Sequence, residues 1–136
     1  MNQFDRLEAL AQRLIEGSFQ RLFRIQFQPA DLAHHLAAAI ENGKQAHGAV
    51  DLIPNHYQIL LNPADYWALI DGSDHHSAVA DLHTWILGLV QEMDYRLAGP
   101  LHVWLEQQEN IPPGQVKIKT AYETASNSPP WDENGP

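Results

Sequence analysis

The chain contains no cysteine. Disulfides, thiolate zinc sites and cysteine nucleophiles are therefore excluded. Cations are also scarce. Eight Lys and Arg (8) stand against 17 Asp and Glu, a formal net charge of −9. That balance argues against general binding to nucleic acid or to anionic membranes. No apolar run approaches the length of a membrane-spanning helix, and the first residues lack the basic-then-apolar pattern of a signal peptide. The expectation is a cytoplasmic protein with no direct membrane insertion. No glycine-rich phosphate loop follows a strand pattern, no serine has a nucleophile-elbow context, and no His-Glu-x-x-His is present. These absences predict a chain that is not an enzyme and carries no cofactor.

What is present suits one globular unit. The chain has 136 residues, 44% of them hydrophobic, enough to bury a sizeable core. The charge is uneven. Residues 1–28 hold Arg6, Arg13, Arg21 and Arg24 against Asp5, Glu8 and Glu16, a net +1, so the remainder sums to −10.

Periodicity gives the elements. Phe4, Leu7, Leu10, Ala11, Leu14, Ile15, Phe19 and Leu22 form one stripe at helical spacing, predicting a helix over 3–23. Asn2 is its candidate cap. Pro29 suits the first turn of a second helix, which buries Leu32, Leu36, Ala39 and Ile40 and stops at Asn42-Gly43. Tyr57, Ile59 and Leu61 alternate with His56, Gln58 and Leu60, the pattern of a half-buried strand. Val50 and Leu52 predict a short strand paired with it across Pro54-Asn55. Asn62-Pro63 opens a short helix to about Ile70. A long helix follows, its stripe running from Val79 to Leu97 and its stop at Gly99-Pro100. Leu101, Val103 and Leu105 predict a strand, and Val116, Ile118 and Thr120 another, joined as a simple hairpin.

The expected fold is α+β. Its small, mostly antiparallel sheet has three to four strands, with about four helices on one face, in the order ααβ(β)ααββ. Residues 1–122 form the globular domain. Residues 123–136 are acidic and rich in Pro and Ser, and are expected to be a disordered tail or linker.

Six sequence segments carry a resemblance in an ordered set. They are Phe19 to Phe23, Gln28-Pro29-Ala30-Asp31-Leu32-Ala33, Ile53-Pro54-Asn55-His56-Tyr57, Leu61-Asn62-Pro63-Ala64-Asp65-Tyr66, Gly99-Pro100-Leu101-His102-Val103, and Pro113-Gly114-Gln115-Val116. In this order the chain resembles the N-terminal domain of bacterial FhaA-like proteins. That small domain usually precedes a forkhead-associated, phosphothreonine-binding domain. The resemblance runs from about residue 3 to residue 122. It implies a non-catalytic scaffold or protein-interaction module near Ser/Thr-kinase signalling, with cell-envelope regulation as one setting. Its partner would be another protein, of identity and stoichiometry that the sequence does not name. No forkhead-associated domain is present in these 136 residues, so phosphothreonine recognition is not carried over.

Strand geometry supplies the candidate surface. If Leu101, Val103 and Leu105 face the helices with Val116 and Ile118, the opposite side of the sheet carries His102, Trp104, Leu60, Lys117 and Lys119. The hairpin register sets Trp104 opposite Lys117 and His102 opposite Lys119. An exposed tryptophan beside Leu60 with lysines around it has the make-up of an interaction surface. Trp131, a lone aromatic in the tail, is a second candidate anchor. Two alternatives compete. His76, Asp81 and His83 are weak metal candidates, for which solvated surface residues are the plainer reading. A KH-like RNA-binding domain would want a Gly-x-x-Gly loop between helices, and Gly43 and Gly48 have the wrong spacing.

Overall fold

The computed structural model describes residues 2–18, 29–70 and 75–123. The first helix, α1 (Gln3–Ser18), starts where Asn2 caps it. Asp5 N–H donates to the Asn2 side chain at 2.7 Å. The predicted extension to residue 23 falls outside the described residues. The second helix, α2 (Pro29–Gly43), begins at Pro29, whose missing N–H costs nothing in a first turn.

Three short strands come next: β1 (Gln45–His47), β2 (Val50–Ile53) and β3 (His56–Leu61). Helix α3 (Pro63–Leu69) is capped by Asn62, which accepts from Ala64 N–H at 2.9 Å. Helix α4 (His75–Glu92) follows, then β4 (Arg96–Leu97), β5 (His102–Gln107) and β6 (Val116–Ala121). Among the described residues no helix is long and apolar enough to cross a membrane.

The fold is α+β, as the periodicity implies, with two mixed three-stranded sheets in place of one mostly antiparallel sheet. In the smaller, β2 lies between antiparallel β1 and parallel β4. The expected β2–β3 pairing does not form. In the larger, β3 lies between β5, parallel to it, and β6, antiparallel to it. The expected β5–β6 hairpin is therefore absent, because β3 occupies the place between them. The long helix also ends earlier than Gly99-Pro100. Asp94 takes a left-handed φ of 56°, Tyr95 N–H bonds back to the Val90 carbonyl at 3.0 Å, and Arg96–Leu97 leave to pair with β2.

Helix α1 packs against both α2 and α4, while α2 lies on β6 and α4 on β5. The core is a cluster from all these elements, with Leu7, Ile15, Leu36, Ile40, Tyr57, Ile59, Leu61 and Trp85 fully buried. Its strand contribution comes from the Tyr57, Ile59 and Leu61 side of β3, together with Val103, Leu105 and Val116. Packing that face stabilises the sheet mainly by removing apolar area from water, at roughly 25 cal/mol per Å².

Candidate functional site

The period of two leaves His56, Gln58 and Leu60 on the other face of β3. The registers align three rows across that face. The first is His102–His56–Ala121, the second Trp104–Gln58–Lys119, the third Glu106–Leu60–Lys117. The five residues expected on this face thus share it, although Trp104 lies opposite Gln58 and not Lys117. His102 likewise lies opposite His56 and not Lys119. The members of each expected pair fall in adjacent rows, on opposite sides of β3.

Exposure on the face is graded. Lys117, Lys119 and Glu106 are exposed, while His102 and Trp104 are half-buried. The middle strand is enclosed. Leu60 is 3% exposed, which removes it as a contact residue. Its neighbours on the two edge strands stand on either side of it, which a face read strand by strand does not reveal. Trp131 lies outside the described residues.

Polar chemistry ties the face together. Gln58 donates from Nε2 to Glu106 Oε2 at 2.7 Å, so a buried amide orients an exposed carboxylate. The indole N–H of Trp104 is enclosed without an acceptor, and Gln58 Oε1 likewise lacks a donor. The His56 and His102 rings lie 4.7 Å apart, centroid to centroid. Burial of His56 pushes its pKa below the ordinary 6.5, His102 lowers it further, and Glu123 opposes the shift. The folded state thus binds this proton less readily than the unfolded chain does. Stability should rise with pH across the window below 6.5 and fall as the solution is acidified through it. In His56→Gln this part of the pH dependence should vanish from the urea midpoint between pH 5 and 7. Identical wild-type and variant slopes would show that His56 titrates normally.

His34, His75 and His83 have local structural contacts. His34 Nδ1 pairs with Glu8 at 2.7 Å, linking α1 to α2. His75 Nδ1 shares a 2.8 Å hydrogen bond with the Tyr66 hydroxyl. His83 Nε2–H donates to the Leu101 carbonyl at 3.2 Å. His83 therefore does not join His76 and Asp81 around a common point. Among the described residues no three His, Asp or Glu side chains converge to hold a metal ion.

Four of the six segments carrying the resemblance meet in space, at or beside two clamps. Asn55 is fully buried. Its Nδ2 donates to the Pro100 carbonyl at 3.0 Å and to the Glu123 carbonyl, and its Oδ1 accepts from Glu123 N–H at 2.9 Å. A Cβ at Gly99 would lie 3.0 Å from this amide, so a larger residue there would press on the clamp. At the second clamp Asp65, 4% exposed, accepts from Gly114 N–H at 2.7 Å. Asn62 Nδ2 donates to the Ile111 carbonyl at 2.9 Å beside it. Pro-Asn thus meets Gly-Pro, and Asn-Pro-x-Asp meets Pro-Gly. These segments are spread over 60 residues of sequence, from Asn55 to Gly114, and act together as tie points of one fold.

A family model, the FhaA N-terminal domain, matches residues 4–119. The chain belongs to this family. It is also similar to a solved chain described as "Rv0020c_Nter structure", with 26% identity and a TM-score of 0.63. That likeness covers 75% of this chain and 76% of the solved one. No curated protein matches the chain.

Two features of this FhaA N-terminal domain escaped the sequence reading. Trp67 on α3 is 59% exposed, and its ring meets Tyr66 edge-on at 5.2 Å. Of two adjacent aromatics on a helix only one can face inward, and that spacing was the available signal. The second is a cleft of about 410 Å³ where the first turn of α4 borders β5. Its two walls, His75 to Val79 and Val103 to Glu106, are more than twenty residues apart in sequence, so no local pattern announces it.

Proposed function

We propose that this FhaA N-terminal domain is a non-catalytic protein-interaction module of forkhead-associated Ser/Thr-kinase signalling, working in the cytoplasm. Family membership supports the forkhead-associated context. The observation that carries the interaction reading is the outer face of the larger sheet, where a half-buried Trp104 sits among exposed charges. An aromatic anchor rimmed by polar groups is the composition of a contact surface. The opposite face of that sheet is committed to the core, so this face is the part of the sheet left for a partner.

Trp104→Ala tests the reading. Immobilised wild-type domain should retain a defined protein that the variant loses by tenfold or more, on the order expected for an interface hot spot. Circular dichroism should stay native, with a lower melting temperature from the lost ring contacts. Equal retention by both proteins would move the partner surface elsewhere. An unfolded variant would make Trp104 a structural residue.

A further inference from the structure

We infer that the cleft between α4 and β5 binds a cationic side chain, arginine above all, from an extended segment of a partner protein. The inference rests on the interaction reading and gives the partner's chemistry. His75, His76 and Val79, on one stripe of α4, form one wall, and β5 from Val103 to Glu106 forms the other. Its volume of about 410 Å³ falls within the range of roughly 300–1,000 Å³ usual for ligand clefts.

Three features select a cation. First, Glu106 is exposed and its carboxylate is oriented by Gln58 Nε2 at 2.7 Å. Among the described residues no cation pairs with it. A carboxylate already fixed in place accepts a guanidinium with little further ordering. Second, Trp104 lines the same cleft, and an indole face attracts a flat cation. Third, β5 is an edge strand. The N–H groups of His102 and of Gln108, just past its end, donate toward β3, to the carbonyls of Asn55, just before that strand, and Leu61, each at 2.8 Å. Parallel alternation then sends the peptide groups of Val103 and Leu105 to the outer edge, which lines the cleft. Those carbonyls suit a donor-rich group, as His83 already shows by donating to the carbonyl of Leu101.

Opposing charges are weaker or farther off. Lys117 and Lys119 lie on β6, two strand spacings away, roughly 10 Å. Water and salt screen much of their effect at that distance. The positive end of α4 opposes a cation, but an exposed helix end acts less strongly than a direct charge-assisted hydrogen bond. The whole chain, at −9, draws cations toward it.

The test titrates N-acetyl-arginine methylamide, and separately its neutral citrulline counterpart, into ¹⁵N-labelled domain. Arginine should give saturable shifts at the Trp104 indole N–H and at the amides of Val79, Val103 and Leu105. Citrulline should bind about tenfold more weakly or worse, and Glu106→Gln should lose roughly tenfold for arginine with an unchanged melting temperature. Equal binding of citrulline, full binding by Glu106→Gln, or no saturable shift at these sites overturns the assignment. A negative titration leaves the interaction reading standing if Trp104-dependent capture succeeds. A positive titration by a domain that captures nothing supports the cleft's selection of a cation and removes the partner segment together with the interaction reading.

Discussion

Trp85→Ala is expected to cost about 3–5 kcal/mol of folding free energy, the range for emptying a large aromatic site in a core. Trp85 is completely buried on α4, and its indole N–H donates to the Ala11 carbonyl of α1 at 2.9 Å. It therefore does two things at once. It fills the junction where α1, with Leu7, Ala11 and Ile15 buried, lies on α4, and it supplies that junction with a directed bond. Trp85→Phe separates the two effects. A phenyl ring keeps most of the volume and loses the bond, so its cost should be smaller, about 1–3 kcal/mol. Urea denaturation midpoints of the three proteins measure both. If the alanine variant keeps the wild-type midpoint, α1 is not anchored through this residue and the three-helix layer is held by other contacts.

Trp85 also shows what a sequence displays and what it hides. It falls three residues after Leu82, on the helical stripe, so its burial was there to be read. Its bond to Ala11, 74 residues away, was not. The same division runs through the sheet. Alternation in β3, β5 and β6 put the five strand candidates on one shared face, because side-chain direction follows from period two alone. Strand order does not. Two strands joined by a short loop usually pair, and that default gave a hairpin. The competing solution puts β3 between them, where all six of its residues are buried. It is preferred only when the helices on either side are counted, a cost and gain spread over the whole chain. Leu60 suffered from the same limit. Its face was legible, but its enclosure depends on which strands flank it. The end of α4 was hidden differently. Met93 and Leu97 continue the apolar stripe at helical spacing, and the left-handed turn at Asp94 has no glycine to mark it.

Asn55→Ala is expected to destabilise the domain by about 3–5 kcal/mol, as much as a large core truncation, although it removes only three side-chain heavy atoms. The reason is what those atoms hold. Alanine would leave the carbonyls of Pro100 and Glu123 and the N–H of Glu123 without their present partner, near a residue that water does not reach. Three lost hydrogen bonds at roughly 0.5–1.5 kcal/mol each, with the space emptied at a residue that is itself fully buried, bring the total to that range. Asn55→Asp is the sharper probe. It keeps an acceptor for Glu123 N–H and replaces the donor by a carboxylate facing two carbonyl oxygens. Burial and those oxygens both disfavour the charge, so the folded-state pKa of the new carboxyl should rise above its unfolded value of about 3.9. The folded state then holds the proton where the unfolded chain has released it. Stability of this variant should therefore fall as pH rises through that window and recover on acidification, opposite in sign to the behaviour predicted for His56. The protonated carboxyl can also donate one of the lost bonds. Difference curves of melting temperature against pH, variant minus wild type, isolate this contribution from the other titrating groups. A flat difference curve, or an alanine variant as stable as the wild type, would show that Asn55 does not clamp the start of β3 to the chain leaving β6, and that the spacing of Pro-Asn and Gly-Pro reflects something other than this bond.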